Sequence, residues 1–168
     1  MAMTRSQIVE EPDGTVTEYD EIDVAGDRVE RLLREIFTAH WARVTVGPVV
    51  EGAAWELRFT AEPALSMMDG YLTVEIGAGH VHLCVGEPRA ARPELARARR
   101  VARAAFFRST GGACVAESYG LRLWNGRGEQ MITVFFPNPF YDDAGRPLAT
   151  PDRARTALWE DLRRRYCA

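Results

Sequence analysis

The sequence contains no lysine: all 21 of its basic residues are arginine. That excludes Schiff-base chemistry on a lysine amine and the lysine of a phosphate-binding P-loop. Cysteine is scarce as well. Cys84, Cys114 and Cys167 are odd in number and cannot all pair, which suits a reducing compartment and predicts a cytoplasmic protein. No apolar run approaches the roughly 20 residues that a membrane helix needs. The opening Met1-Ala2-Met3-Thr4-Arg5-Ser6-Gln7 turns acidic within a few residues, unlike a signal peptide, so no membrane is expected among its partners. Nor is there a large excess of either charge: 21 basic against 24 acidic residues leave −3, which argues against a dedicated nucleic-acid binder. What is present, 46% hydrophobic and 27% charged side chains over 168 residues, describes one globular chain with a real core.

Charge is unevenly spread. The first 27 residues carry eight carboxylates against Arg5, whereas residues 89–108 hold seven arginines and the single acid Glu94. This predicts an acidic arm over residues 1–26 ahead of a single α+β domain over 27–168. The arm would lie on a basic helix, within one subunit or between two, through exposed pairs worth about 0–1 kcal/mol each. The sharper alternative is an anion site on that helix.

Three helices are expected from periodicity. The first, over 27–40, has Val29, Leu32, Leu33, Ile36 and Phe37 on one stripe, with Asp27/Arg31 and Glu30/Arg34 four apart on the wet side. The second, over 93–108, would bury Leu95, Ala98, Val101, Ala102, Ala105 and Phe106. The third begins with Thr150 as N-cap and Pro151 at the first helical position, followed by Leu158, Leu162 and Tyr166.

Three hairpins lie between them. In the first, a turn at Glu51-Gly52 pairs Val50 with Ala53 and sets Val46 opposite Leu57 and Val44 opposite Phe59, with Trp55 on the same apolar side. In the second, a bend at Gly77-Ala78-Gly79 pairs Ile76 with Val81. Leu72, Val74, Leu83 and Val85 then share one face, and Thr73, Glu75, His80, His82 and Cys84 the other. In the third, strands over 119–124 and 129–136 join through Asn125-Gly126-Arg127-Gly128. Leu121, Leu123, Ile132, Val134 and Phe136 form its core face. The expected order is α-β-β-β-β-α-β-β-α, with a further strand near 15–24: an α+β fold whose antiparallel sheet of about six strands carries helices largely on one face.

Two surfaces are candidates for chemistry. In Gly79-His80-Val81-His82-Leu83-Cys84 the two histidines project from one strand face about 6–7 Å apart. With Glu75 placed opposite His82 as third ligand or general base, they form a Zn or Fe site with open positions for water and substrate, a mononuclear metalloenzyme in its enzymatic form. Cys84 lies too far along the strand to share an ion with His80. The bland alternative makes this the wet face of an amphipathic strand. The second candidate is the outer face of the third hairpin. Arg122 would grip an anion, Trp124, Met131 and Phe135 would supply apolar walls, and Glu129 joins Glu75 as a candidate catalytic carboxylate. Burial in a dimer or under the Pro137-Asn138-Pro139-Phe140 loop is the alternative there. If both faces belonged to one sheet and pointed the same way, they would make one concave patch.

Other signals are weaker. Ser66, Ser109 and Ser118 lack a nucleophile elbow. Cys114 has no base beside it in sequence. Asp142-Asp143-Ala144-Gly145 lacks the full acidic spacing of a calcium loop. Gly126-x-Gly128 sits between strands and is no nucleotide-binding loop.

The stretches from Gly79 to Gly86 and from Leu121 to Met131 resemble segments of an uncharacterised bacterial family of small soluble proteins, over roughly residues 40–140; the resemblance carries no activity with it. The sequence thus points to a small cytoplasmic protein that binds a metal ion or small molecule on an outer sheet face. A second reading is a non-enzymatic adapter or chaperone-like homodimer that docks a partner protein through the sheet face or the Arg-rich helix. A third places a haem iron on His80 or His82.

Overall fold

The computed structural model describes residues 6–50, 52–112 and 115–167. The acidic N-terminal segment forms two strands, β1 (Ser6–Glu10) and β2 (Val16–Ile22). Helix α1 (Arg28–Ala39) follows and buries the stripe read from the sequence, Val29, Leu32, Leu33, Ile36 and Phe37. Short strands β3 (Thr45–Gly47), β4 (Val49–Val50), β5 (Ala53–Ala54) and β6 (Leu57–Arg58) come next, then β7 (Leu65–Met68), β8 (Tyr71–Ile76) and β9 (Gly79–Cys84). Helix α2 (Pro93–Arg99), the long strands β10 (Val101–Thr110), β11 (Glu117–Asn125) and β12 (Gln130–Phe135), and helix α3 (Ala157–Tyr166) complete the chain.

The fold is α+β. A seven-stranded antiparallel sheet has the order β1-β2-β10-β11-β12-β3-β6, and a three-stranded sheet β7-β8-β9 stands apart from it. Leu72, Val74 and Leu83 of the small sheet join Leu121, Leu123, Ile132 and Val134 of the large one, and Leu32, Ile36, Leu158 and Leu162 of the helices, in one core. Each sheet therefore has one face turned into this core and one turned away.

The expected second helix is half wrong. It stops at Arg99, and the backbone of Arg100 is already extended. Val101 to Thr110 instead form an interior strand of the large sheet, paired on one side with β2 and on the other with β11. Phe106 is buried in the main core and Phe107 in a second cluster on the opposite face. A strand apolar on both faces shows no alternation, and its alanines and arginines favour helix locally. The third helix also starts later than expected. Asp152 caps a 3-10 turn at Arg153–Thr156, its carboxylate accepting from the Ala154 N–H at 3.1 Å, and α3 follows it.

Hairpin registers shift by small steps with large consequences. The first is as expected, with Val50 opposite Ala53 and Val46 opposite Leu57; Trp55 and Leu57 nevertheless stay exposed. In the second the turn is only Gly77-Ala78, so Ile76 pairs with Gly79 and Val74 with Val81. A two-residue slip keeps both faces intact. It moves Glu75 from His82 to His80 and puts Thr73 beside His82. In the third, an irregularity between Leu123 and Trp124 pairs Trp124 with Gln130 instead of Glu129. Met131 consequently packs against the main core, not on the outer face.

Candidate functional site

The two candidate faces do not merge. They belong to different sheets that share a core between them, so the histidine face and the Arg122 face are turned away from each other.

On the outer face of the small sheet, Ser66, Thr73 and His82 make one cross-strand row, Met68, Tyr71 and Cys84 the next, and Glu75 and His80 a pair beyond. His80, His82 and Glu75 are exposed, and the two imidazole rings lie 4.6 Å apart, centre to centre. Thr73 is buried, and its hydroxyl meets His82 Nδ1 at 2.8 Å. That contact leaves Nε2 as the uncommitted nitrogen, the arrangement by which a neighbouring oxygen orients a metal-binding histidine. Met68 is 75% exposed, an unusual cost for so apolar a side chain. Cys84 is buried, and burial pushes its thiol pKa up, while Arg99 and Arg100 at the end of α2 act on it in the other direction. Arg100 pairs with Glu87, whereas Arg99 makes no ion pair among the described residues. Among the described residues no group of three His, Cys, Asp or Glu side chains is gathered as a metal centre.

On the outer face of the large sheet the expected residues Arg122, Trp124 and Phe135 do come together, around Tyr19, Phe107 and Ala105. Their aromatic faces are already occupied by arginines. The Arg103 guanidinium lies 4.0 Å from the Trp124 ring centre, and that of Arg122 lies 4.6 Å from Phe107. Arg122 also donates to the Tyr19 hydroxyl at 2.6 Å, and Tyr19 donates to Glu11 at 3.1 Å. Arg103 is held by Glu21 at 2.6 Å. The acidic segment thus meets the arginines of β10 strand to strand. Glu129 stands apart in the turn, where its carboxylate accepts from Asn125 Nδ2 at 2.8 Å.

A third assembly escaped sequence reading. Glu117 accepts from Arg153 through both carboxylate oxygens at 2.9 Å, from Tyr119 at 2.5 Å and from Arg108 at 3.1 Å. These donors hold its pKa down at about 2. Arg108 and Tyr119 also line a cleft of about 660 Å³ beside α3, where Arg163 pairs with the buried Asp20 at 2.7 Å. There Cys167 donates to the Asp20 carbonyl, and burial raises its thiol pKa to about 12. No motif marks this assembly, because its members come from positions 20, 108, 117, 119, 153 and 163. The suggestion about Cys114 lies outside the described residues.

A family of unknown function (DUF7676) matches residues 6–168. The chain belongs to that family. No curated protein matches the sequence. Among solved structures, a protein from Agrobacterium tumefaciens is similar with a TM-score of 0.55 at 15% identity, over 93% of this chain and 73% of that one. The heme binding protein ChuX is similar with a TM-score of 0.53 at 15% identity, over 83% of this chain and 72% of ChuX. A protein from Erwinia carotovora matches at 0.50 and 20% identity, over 81% and 72% of the two chains. At these identities the likeness is one of fold. No helix among the described residues is long and apolar enough to cross a membrane.

Proposed function

We propose that this protein binds an iron tetrapyrrole of the haem type on the outer face of the β7-β8-β9 sheet, with His82 as the iron ligand. The observation that carries this reading is the exposed imidazole of His82, with Nδ1 engaged by the buried Thr73 hydroxyl and no group of three metal-binding side chains gathered there among the described residues. A bare Zn or Fe ion held by His80 and His82 alone would be under-ligated. A tetrapyrrole would bring four nitrogen ligands of its own, so one protein imidazole would suffice to hold it through the iron, which would supply any redox or ligand chemistry. Thr73 orients the ring, Met68 offers an apolar contact to a flat macrocycle, and Arg99 offers a cation to its carboxylates. The fold shared with ChuX, a heme binding protein, is consistent with this class of ligand.

The second reading, a bare ion on His80, His82 and Glu75, rests on the direct cross-strand pairing of Glu75 with His80. Neither reading requires catalysis. Titration of the apoprotein with ferric haem, followed by absorption, tests the first. A saturable one-to-one shift of the Soret band is expected, with affinity at least tenfold lower in His82→Ala. Thr73→Val should weaken it by a smaller factor. A titration unchanged in His82→Ala and in the His80→Ala/His82→Ala double variant would overturn the assignment.

A further inference from the structure

The large sheet has two edges, and they differ. At one, β6 is only two residues long, too short to template a further strand. At the other, β1 is five residues long, and among the described residues it pairs only with β2, in a ladder without a bulge. Its sequence, Ser6-Gln7-Ile8-Val9-Glu10, holds no proline, lysine or arginine. Ile8 at its centre is 72% exposed, and Val16, opposite Glu10 on β2, is exposed too. Shortness, bulges, proline and basic side chains are the devices that keep an open edge from pairing, and β1 has none of them.

The turn after β1 sets which backbone groups are left open. The Glu11 N–H donates to the Thr15 carbonyl at 2.8 Å, so these two residues are a hydrogen-bonded pair. Such pairs alternate along an antiparallel ladder, and Val9 and Gln7 therefore spend their backbone groups on Thr17 and Tyr19 of β2. The N–H and C=O groups of Ser6, Ile8 and Glu10 point the other way, to the open edge. That edge is complementary to itself. A two-fold axis at Ile8 lays a second β1 antiparallel to the first, with Ile8 opposite Ile8, Gln7 opposite Val9 and Ser6 opposite Glu10. Ser6, Ile8 and Glu10 then each exchange both backbone bonds with their counterparts. No like charges meet, because each Glu10 faces a serine hydroxyl, and the exposed isoleucines cover one another. The Glu18 side chains, one strand farther out on each side, stand about 14 Å apart, beyond the screening length at physiological salt.

We propose that β1 is the interface through which two copies of this chain associate, antiparallel and in register at Ile8, joining their large sheets into one. Sedimentation equilibrium of the full chain over a range of concentrations tests it. The mass should rise reversibly toward twice the 18.8 kDa of the chain. Ile8→Pro removes the central outward donor, and proline is tolerated on an edge strand where that N–H faces away from the sheet. It should weaken the dimer at least tenfold, while Trp55→Ser, which removes an exposed apolar side chain near the other edge, leaves it unchanged. Oxidative cross-linking reads the register separately. Ile8→Cys should link copies at least tenfold faster than Glu10→Cys, because facing Cα atoms in a hydrogen-bonded pair lie about 5.5 Å apart, whereas two positions four residues out of register lie roughly 13 Å apart. A monomer at every concentration, a dimer undiminished in Ile8→Pro or lost in Trp55→Ser, or equal cross-linking of the two cysteine variants would each overturn the proposal.

Discussion

Glu117 shows how much one side chain can be asked to hold. It joins β11 to β10 through Arg108 and to the turn before α3 through Arg153. Its folded pKa near 2 lies below the ordinary 4.5. The unfolded chain therefore takes up a proton first as pH falls, and the stabilisation is fully present above pH 4.5 and lost between there and pH 2. At about 1.4 kcal/mol per pKa unit the whole shift amounts to about 3 kcal/mol. Both arginine partners are partly exposed, so solvent screening brings this to about 2 kcal/mol. Glu117→Gln should lower stability at neutral pH by that amount and flatten the acid limb of the stability profile, as thermal melts from pH 6 to pH 2 would register. An acid limb unchanged in the variant would remove Glu117 from this role. The same scale explains why the sequence was silent here. A glutamate gains three donors only after distant strands meet, and no local pattern encodes that.

Elements were legible where one face is wet. Helix α1 buries the five residues its spacing predicts, and the His80/His82 strand has the two faces that alternation assigns. Legibility failed at β10, where both faces are dry, and in the third hairpin, where a local irregularity turned Met131 inward. The strand assignment of residues 101–110 has a sharp consequence at Gly120. A methyl group there would enter the Phe107 ring and stand 2.9 Å from the Val134 carbonyl oxygen. Gly120→Ala should therefore cost about 2–3 kcal/mol. Phe107→Leu should recover part of that loss, giving a coupling energy of about 1 kcal/mol in a double-mutant cycle measured by denaturant unfolding. Strict additivity of the two substitutions would mean that Phe107 does not lie across Gly120.

At the scale of the molecule, the sequence suggested two outer faces and left their relation open. The fold separates them by placing one core between two sheets. Arg122, Trp124 and Phe135 meet as expected, yet Arg103 and Arg122 already fill the space over their aromatic neighbours. The histidine pair is as exposed as its strand position implied, but its carboxylate neighbour changed with the register. What favours the proposed tetrapyrrole site over a three-donor ion site is that no three such donors are gathered among the described residues, together with the Thr73 hydroxyl on His82. The most direct measurement is a calorimetric comparison of Zn²⁺ and ferric haem on the same chelator-free apoprotein. Stoichiometric haem binding that His82→Ala removes is expected, with Zn²⁺ binding absent or at least a hundredfold weaker than haem. Tight stoichiometric Zn²⁺ binding with no haem binding would contradict it.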